Sequence, residues 1–239
     1  MNVAWKTDTG SVRTNNEDRI LVDEKHGIFL LADGMGGHNA GEIASDLAVK
    51  EAYSFILKEM PRDADEQVIL GIMEDALCYS HHAVQAKAAT DVQLNGMGTT
   101  LVELYIQGSN AYICHAGDSR AYLFRNVLQR ITRDHTVADA YVQSGHMESD
   151  KVPPRLWHVL TKAVGTSTCP VPDKKHIDLT QGDILLVCSD GLTDMLTDDE
   201  IQHIVIRHRD APSDMVESLA RDANSKGGKD NISVISIGI

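Results

Sequence analysis

The sequence has few cysteines, few basic residues and no long apolar run, and each shortage excludes a class of protein. Four cysteines among 239 residues, without a C-x-x-C pair, predict free thiols in a reducing cytoplasm. Cys114 and Cys188 lie inside apolar runs and are predicted to be buried. No stretch reaches the roughly 18 apolar residues of a membrane-spanning helix, and the N-terminus lacks the features of a signal peptide. We therefore expect a cytoplasmic protein that does not bind a membrane.

The shortage of basic residues gives the chain a strongly negative charge. It carries 22 lysines and arginines against 35 acids, for a net charge of −13 with neutral histidines. Such a chain should repel nucleic acid and anionic surfaces. The acid excess is either a solvated surface or is partly offset by bound divalent cations. With 42% hydrophobic residues and no repeat or linker, the chain is long enough for one domain with a substantial core.

The apolar periodicity predicts strands and helices that come in blocks. Residues 19–32 are typical of a hairpin, and residues 41–60 and about 64–89 have the spacing of amphipathic helices. Short strand-like runs then fill residues 99–131, followed by a helix that ends at Gly145. Later elements are a strand at 183–189, a helix begun by the capping box Thr197–Glu200, a helix after Pro212 and a final strand. This order predicts an α+β fold with antiparallel sheets, not a doubly wound parallel sheet.

Carboxylates stand at the ends of the apolar strands. Each one alone is typical of a turn, because aspartate bonds its own backbone and glycine accepts positive φ. Together they can meet at one rim of a layered sheet, where they would repel one another unless protonated or metal-bound. All-oxygen ligands suit Mg²⁺ or Mn²⁺. The candidates are Glu17, Asp18, Asp33, Asp118, Asp190 and Asp230.

The run "ADGMGGH" at residues 32–38 has almost no side chains after its carboxylate. Glycines at 34, 36 and 37 would let the backbone approach a metal, and a backbone carbonyl could itself be a ligand. Two hard cations held by carboxylates commonly serve phosphoester hydrolysis, because they activate water and neutralise phosphate. Arg13 lies four residues before Glu17 and is the candidate for binding phosphoryl oxygens through its guanidinium.

Seven ordered motifs resemble those of the type 2C, metal-dependent serine/threonine protein phosphatases, in particular the bacterial stand-alone branch. The resemblance covers nearly the whole chain, from Val3 to Ile239. The motifs are "GSVRTNNED", "ADGMGGHNAGEIAS", "MGTT", "HAGDSRAY", "DHT", "CSDGLTD" and "GGKDNIS". It implies a sandwich of two antiparallel sheets flanked by pairs of helices, formed by residues 1–239 as one catalytic domain. A flap subdomain would cover about residues 138–165.

The resemblance also implies roles for the candidate residues. Asp33 would bridge two metals, Asp190 and Asp230 would complete the first site, and Glu17 and the Gly34 carbonyl would hold the second metal.

Three further roles follow from the same resemblance. Asp18 would orient metal-bound water, and Arg13 would contact the substrate phosphate. Asp118, with Asp190, would hold a third and weaker metal.

One position departs from the animal members of this family. They carry a histidine directly after the Asp-Gly pair, thought to be a general acid, and this chain has Met35 there. A metal-bound water and His38 remain candidates, although a structural role for His38 is favoured. His81 and His82 are expected on a solvated helix surface. Trp157 and His158 could contact substrate or pack, and packing is favoured.

The expected function is hydrolysis of phosphoserine and phosphothreonine in proteins by direct attack of a metal-bound hydroxide. Alternatives are a phosphatase of small phosphometabolites and a silent relative that binds phosphoproteins. Expected partners are phosphorylated protein substrates and a cognate serine/threonine kinase. We expect a monomer that binds Mn²⁺ or Mg²⁺.

Overall fold

The computed structural model describes residues 1–36 and 40–239, in which strands and helices form stacked layers. The strands are β1 (Asn2–Asp8), β2 (Asp18–Asp23), β3 (Ile28–Met35), β4 (Gly98–Thr99), β5 (Leu101–Gln107), β6 (Asn110–Ala116), β7 (Arg120–Arg125), β8 (Val127–Arg130), β9 (Asp173–Asp178), β10 (Ile184–Cys188) and β11 (Ile232–Gly238). The α-helices are α1 (Ala40–Glu59), α2 (Glu66–Ala88), α3 (Val137–Gln143), α4 (Asp190–Thr193), α5 (Asp198–Arg207) and α6 (Pro212–Ser225).

Two antiparallel sheets form the centre of the molecule. One has the strand order β1-β11-β10-β7-β8, and the other has the order β2-β3-β5-β6-β9, with β4 paired to β3. The hairpin register places Asp18 opposite Asp33 and Asp23 opposite Ile28. The predicted α+β class with two antiparallel sheets is confirmed.

Strand β3 shows why its sequence is continuously apolar. Phe29 and Leu31 belong to the core between the sheets, whereas Leu30 and Ala32 pack in the cluster beneath α1 and α2. A strand covered on both faces has no position for a polar side chain until it leaves the core. The change to Asp33 therefore marks the point where β3 reaches the rim of the sandwich.

The helices cover the outer faces of the sheets. Helices α1 and α2 pack on the β3 sheet, and α5 and α6 pack on the β10 sheet. The predicted capping box is present: Thr197 accepts a bond from the Glu200 amide, and the Glu200 carboxylate accepts one from the Thr197 amide. No helix among the described residues has the length and apolarity needed to cross a bilayer.

Residues 137–165 form an irregular segment that begins with α3 and contains short 3₁₀ turns. Its beginning is bonded to its later part, because the Val137 amide donates to the Val159 carbonyl at 2.8 Å. Its last residues are bonded to the body of the protein: the Thr161 amide donates to the His135 carbonyl at 2.7 Å, and Val164 exchanges backbone hydrogen bonds with Thr99 at 2.8 and 3.0 Å. The segment therefore returns to the body at Thr99, which pairs with Gly34 in the strand that carries Asp33.

Two predictions about histidines are wrong. His81 is not at the surface: its side chain is buried, and its Nδ1 accepts a bond from the Gly165 amide at 3.1 Å. His158 is largely exposed rather than packed, and it lines the cleft described below. Helical periodicity could not predict the bond from Gly165 to His81 or the position of His158 at the cleft, because both depend on residues distant in sequence.

Candidate metal centre and active site

The ends of several strands enclose an acidic cleft of about 350 Å³ at one rim of the sandwich. The predicted site residues that line it are Arg13, Glu17, Asp33, Gly34, Asp118, Asp190 and Asp230. Asp18 does not line the cleft but is buried, opposite Asp33 in the β2–β3 register. Carboxylates spread over more than 200 residues of sequence are thus brought together.

Asp33 is held by two neighbouring threonines. Its amide donates to Thr100 Oγ1 at 2.9 Å, and its carbonyl accepts from the Thr100 amide at 2.9 Å and from Thr99 Oγ1 at 2.8 Å. The Thr100 hydroxyl is also bonded to Ser119 Oγ at 2.8 Å. These bonds fix the backbone of Asp33, so the "MGTT" motif serves to orient this carboxylate.

Gly34 lies where three parts of the backbone meet. A Cβ atom at this position would overlap the carbonyl oxygen of Gly41 in α1 and come within 2.7 Å of the Glu17 carbonyl oxygen. A Cβ on Gly41 would in turn overlap the Glu17 carboxylate. Close approach therefore requires glycine at both positions. This close packing keeps the Gly34 carbonyl and the Glu17 side chain at the same end of the cleft.

Asp190 and Asp230 are brought together by a second close approach. Asp190 begins α4 directly after β10, and Gly191 packs so closely on the backbone before β11 that a Cβ would overlap the Asn231 carbonyl oxygen. Asn231 also accepts from the Glu17 amide at 2.8 Å. The motifs "CSDG" and "KDN" thus form one wall of the cleft.

Asp118 follows β6 in a tight bend. The preceding residue, Gly117, has a φ of +121°. The Gly117 amide donates to His135 Nδ1 at 3.1 Å, and the Gly117 carbonyl accepts from the His135 amide at 3.0 Å. Asp118 is buried, and the negative charge of Asp190 acts on it. The bend therefore directs Asp118 into the cleft rather than into solvent.

Burial and mutual repulsion favour the protonated forms of these carboxylates when no cation is bound. Burial, reinforced by neighbouring carboxylates, raises the pKa of Asp18 to about 7, that of Asp118 to about 8 and that of Asp190 to about 6. The pKa of Asp33 is raised well above its ordinary value by burial first and then by Asp18 and Asp190. A bound cation would reverse this preference by favouring the charged forms.

Unpartnered oxygen atoms in the cleft and behind it are compatible with the binding of hard cations. Asp18 Oδ1 and Asp190 Oδ1 are buried without a hydrogen-bond partner, an arrangement that costs free energy unless a cation or proton compensates. Asp190 also places an oxygen within 4.8 Å of ligand-capable atoms of Asp194 and His158. The oxygen-rich donor set suits Mg²⁺ or Mn²⁺.

Arg13 supplies a positive charge at the mouth of the cleft. Its Nη2 donates to Asp230 Oδ2 at 2.7 Å, and its side chain is 51% exposed. The loop before it is anchored, because the amides of Ser11 and Val12 both donate to the Gly228 carbonyl. The guanidinium is therefore held near the carboxylates but can still reach an anion from solvent.

Some residues in or beside the cleft were not among the predicted candidates. Asp194 lies four residues after Asp190, one turn of α4 away, and the His158 Nδ1 lies 3.7 Å from its carboxylate. The second aspartate of "CSDGLTD" could have indicated Asp194, but no local pattern indicates His158. Met35, which follows the Asp33-Gly34 pair, also lines the cleft. His38 and Gly37 lie outside the described residues.

The chain matches the family model described as protein phosphatase 2C over residues 10–230. It is 33% identical to the serine/threonine phosphatase stp of Listeria innocua, with 99% of this chain and 95% of that protein aligned. It is 34% identical to protein phosphatase PhpP of Streptococcus pneumoniae, with 98% and 96% aligned.

Solved structures agree with this match. A serine/threonine phosphatase of S. agalactiae superposes with a TM-score of 0.91 at 31% identity, covering 100% of this chain and 99% of the other. The catalytic domain of the serine/threonine protein phosphatase PstP, solved with two manganese ions, gives a TM-score of 0.85 at 32% identity over 98% and 96% of the chains.

Proposed function

The chain belongs to the protein phosphatase 2C family, and from that premise we propose how its cleft performs the reaction. The protein is a metal-dependent serine/threonine protein phosphatase, whose substrates are phosphorylated proteins. The observation that carries the detailed proposal is the cleft itself, which combines one arginine with carboxylates from five separate parts of the chain.

We propose that Asp33 contacts both of two metal ions. Asp190 and Asp230 would complete one site, and Glu17 and the Gly34 carbonyl would complete the other. The raised pKa values and the unpartnered oxygen of Asp190 support an anionic site made for cations. Asp118 would share a third, weaker ion with Asp190. When bound, these ions lower the pKa of water and neutralise the charge of phosphate.

The side chains favour direct attack by water over a covalent phosphoenzyme. Among the described residues that line the cleft, Thr100 carries the hydroxyl, and that hydroxyl is engaged by the Asp33 amide and by Ser119. Met35 is not a nucleophile of this kind. Because the carboxylates of the cleft are assigned to the metal ions, we propose that water is the nucleophile.

Arg13 would bind the phosphoryl oxygens. Its guanidinium donates to Asp230 in this structure, so substrate would either share or replace that bond. Charge-assisted bonds from arginine to phosphate are strong and directional. This contact would fix the phosphorus atom in line with the attacking water.

Asp18 would act from behind the cleft. Its Oδ2 accepts from Ser189 Oγ at 2.8 Å, while Oδ1 has no partner. The free oxygen can accept a hydrogen bond from a water on the cleft side. We assign Asp18 to orienting the attacking water, not to binding phosphate.

Protonation of the leaving alkoxide needs a donor other than Met35. His158 is exposed at the cleft wall and can carry a proton there. We add it to the two earlier candidates, His38 and water.

Residues 138–165 would form a flap within a single catalytic domain of residues 1–239. The position of this segment supports the flap: His158 and Leu160 of the segment line the cleft, and Leu160 pairs with Thr136 just before the segment. A side chain on the flap can thus contact the protein around the phosphorylated residue.

The cellular setting is also a proposal. A phosphoprotein phosphatase acts in signalling opposite a kinase, and we propose a cognate serine/threonine kinase as a functional partner and a monomeric enzyme. Cys114 and Cys188 are buried free thiols, as predicted, which agrees with a reducing cytoplasm.

The test is a phosphatase assay on a phosphothreonine peptide and on sugar phosphates. Chelated enzyme should be inactive, and added Mn²⁺ or Mg²⁺ should restore turnover of the peptide. Asp33→Ala should stay inactive under both conditions. Activity that persists after verified metal loss would contradict the metal mechanism, and a preference for sugar phosphates would favour the small-molecule alternative.

A further inference from the structure

Two cysteines that are distant in sequence meet on the side of the protein. Cys78 lies on α2, and Cys169 lies in the loop between the flap and β9, 91 positions further on. The Cys169 thiol donates to Cys78 Sγ with the two sulfur atoms 2.9 Å apart. Both residues are partly exposed, whereas Cys114 and Cys188 are buried in separate cores. A small solute can therefore reach this pair but not the other two thiols.

The surroundings of the two sulfurs differ. His82, one helical turn after Cys78, places Nε2 3.6 Å from Cys78 Sγ and can accept its proton. The hydrogen bond from Cys169 also stabilises negative charge on Cys78. Burial and the neighbouring sulfur raise the pKa of the Cys169 thiol to about 12, so Cys169 keeps its proton and can serve as the hydrogen-bond donor to Cys78 Sγ. Cys78 is the better nucleophile of the pair.

We propose that Cys78 and Cys169 are a peroxide-oxidisable thiol pair that closes into an intramolecular disulfide. The Cys78 thiolate attacks one oxygen of hydrogen peroxide, the O–O bond breaks, and the hydroxide released takes the proton lost by Cys78 to leave as water. Cys78 is now a sulfenic acid.

The second step forms the cross-link. The Cys169 sulfur attacks Cys78 Sγ, the S–O bond breaks, and the hydroxide released leaves as water with the proton of Cys169. In sum, two thiols lose two electrons and two protons, and one hydrogen peroxide is reduced to two waters.

The bond would fasten a segment that already docks on α2. His81 accepts from the Gly165 amide, and Gln85 Nε2 donates to the Thr166 carbonyl at 2.6 Å. The residue before Gly165, Val164, pairs with Thr99 beside Asp33. The disulfide would therefore hold the end of the flap, residues 164–166, in the position it has in the reduced protein. Because it closes a long loop, it should restrict the unfolded chain and stabilise the fold.

The experiment treats the reduced, full-length, Mg²⁺-loaded protein with hydrogen peroxide at a dose that oxidises a free small thiol. Expected results are the loss of two of the four titratable thiols and a non-reducing peptide map that links the peptides of Cys78 and Cys169. The thermal midpoint should rise by several degrees and return on addition of dithiothreitol. A map without this link, or with a link to Cys114 or Cys188, would overturn the site.

Two serine variants test the order of attack. In Cys169→Ser, the Cys78 sulfenic acid should persist and be trapped by dimedone; in Cys78→Ser, Cys169 should be labelled several-fold less. Equal labelling would overturn the assignment of Cys78 as the attacking thiol. His82→Gln should form the same bond several-fold more slowly, and an unchanged rate would remove His82 from the proposal.

Discussion

At the residue scale, the arginine assigned to phosphate already bonds to a carboxylate assigned to metal. Arg13 and Asp230 form this ion pair at the mouth of the cleft with both side chains partly exposed. An exposed ion pair contributes little to stability. The two residues can therefore be separated experimentally into one that binds substrate and one that binds metal.

Arg13→Ala should weaken transition-state binding of phosphate esters by about 1.5 to 3 kcal/mol, seen mainly as a higher KM. Metal content and thermal midpoint should be unchanged. Steady-state kinetics on a phosphopeptide, with metal analysis, provide the measurement. Arg221→Ala, at an exposed arginine paired with its neighbour Asp222, is the matched control and should be silent. Loss of metal or of folding in Arg13→Ala would make Arg13 structural.

Asp118→Asn separates a turn residue from a metal ligand. Asparagine also suits turns, and the variant should fold, but it has no charge to hold a hard cation. We expect two metals to remain and peptide turnover to fall on the order of tenfold to a hundredfold. Calorimetric metal titration and a peptide assay measure both effects.

Asp178→Asn is the matched control for that variant, because Asp178 ends β9 with its side chain 90% exposed. It should change neither metal binding nor turnover. Normal turnover and an unchanged metal count in Asp118→Asn would reduce Asp118 to a turn residue and remove the support for a third metal.

At the scale of the elements, close packing between α4 and the approach to β11 brings Asp190 beside Asp230. Gly191 is the contact point, because a Cβ there would meet the backbone of Asn231. Backbone cannot yield as a flexible side chain can, so this contact sets the distance between the two elements. A Cβ atom added to Gly71 in α2 would have no other atom within 4 Å, so Gly71 has no such role.

Gly191→Ala should destabilise the protein by roughly 1 to 3 kcal/mol through overpacking and should weaken metal binding. Gly71→Ala, the matched change in a helix interior, should stabilise by roughly 0.5 to 1 kcal/mol and leave metal affinity unchanged. Denaturant unfolding and metal titration measure the two variants. Native metal affinity in Gly191→Ala would show that the contact does not position the carboxylates.

At the scale of the whole molecule, the metal-free fold carries a concentration of repelling acids. Asp18, Asp118 and Asp190 have pKa values raised above the ordinary value of 3.8, to about 7, 8 and 6. The folded state therefore binds more protons than the unfolded state, and stability falls as pH rises through these values. Burial lowers the pKa of His115 and His135, which acts in the opposite sense below their ordinary value of 6.5.

The metal-free protein should therefore lose stability between about pH 7.5 and pH 8.5, where the histidines are largely neutral in both states. Saturating Mn²⁺ at the upper pH should raise the thermal midpoint and weaken this pH dependence, because it binds the charged carboxylates of the folded state. Thermal melts with chelator and with Mn²⁺ provide the comparison. A gain in stability of the chelated protein over this range would contradict the carboxylate repulsion.

The sequence by itself determined the elements whose signals are local. Periodicity predicted α1 and α2 to within two residues at each end, and the capping box predicted the start of α5. It did not indicate β1 or β9, because their burial patterns leave few apolar positions buried, and β9 carries lysines at the edge of its sheet. An edge strand that buries few apolar side chains gives no clear alternation of apolar and polar residues.

The sequence also indicated the five carboxylates that line the cleft, because each lies at or near the end of a strand and the strand ends of one sandwich share a rim. Only the tertiary structure decided what distant segments do to one another. It buried His81 under Gly165, brought His158 to Asp194, moved Asp18 behind the cleft and joined Cys78 to Cys169. The physical reason is range: propensity and capping act over a few residues, whereas these contacts arise when separate layers pack and bury their facing side chains.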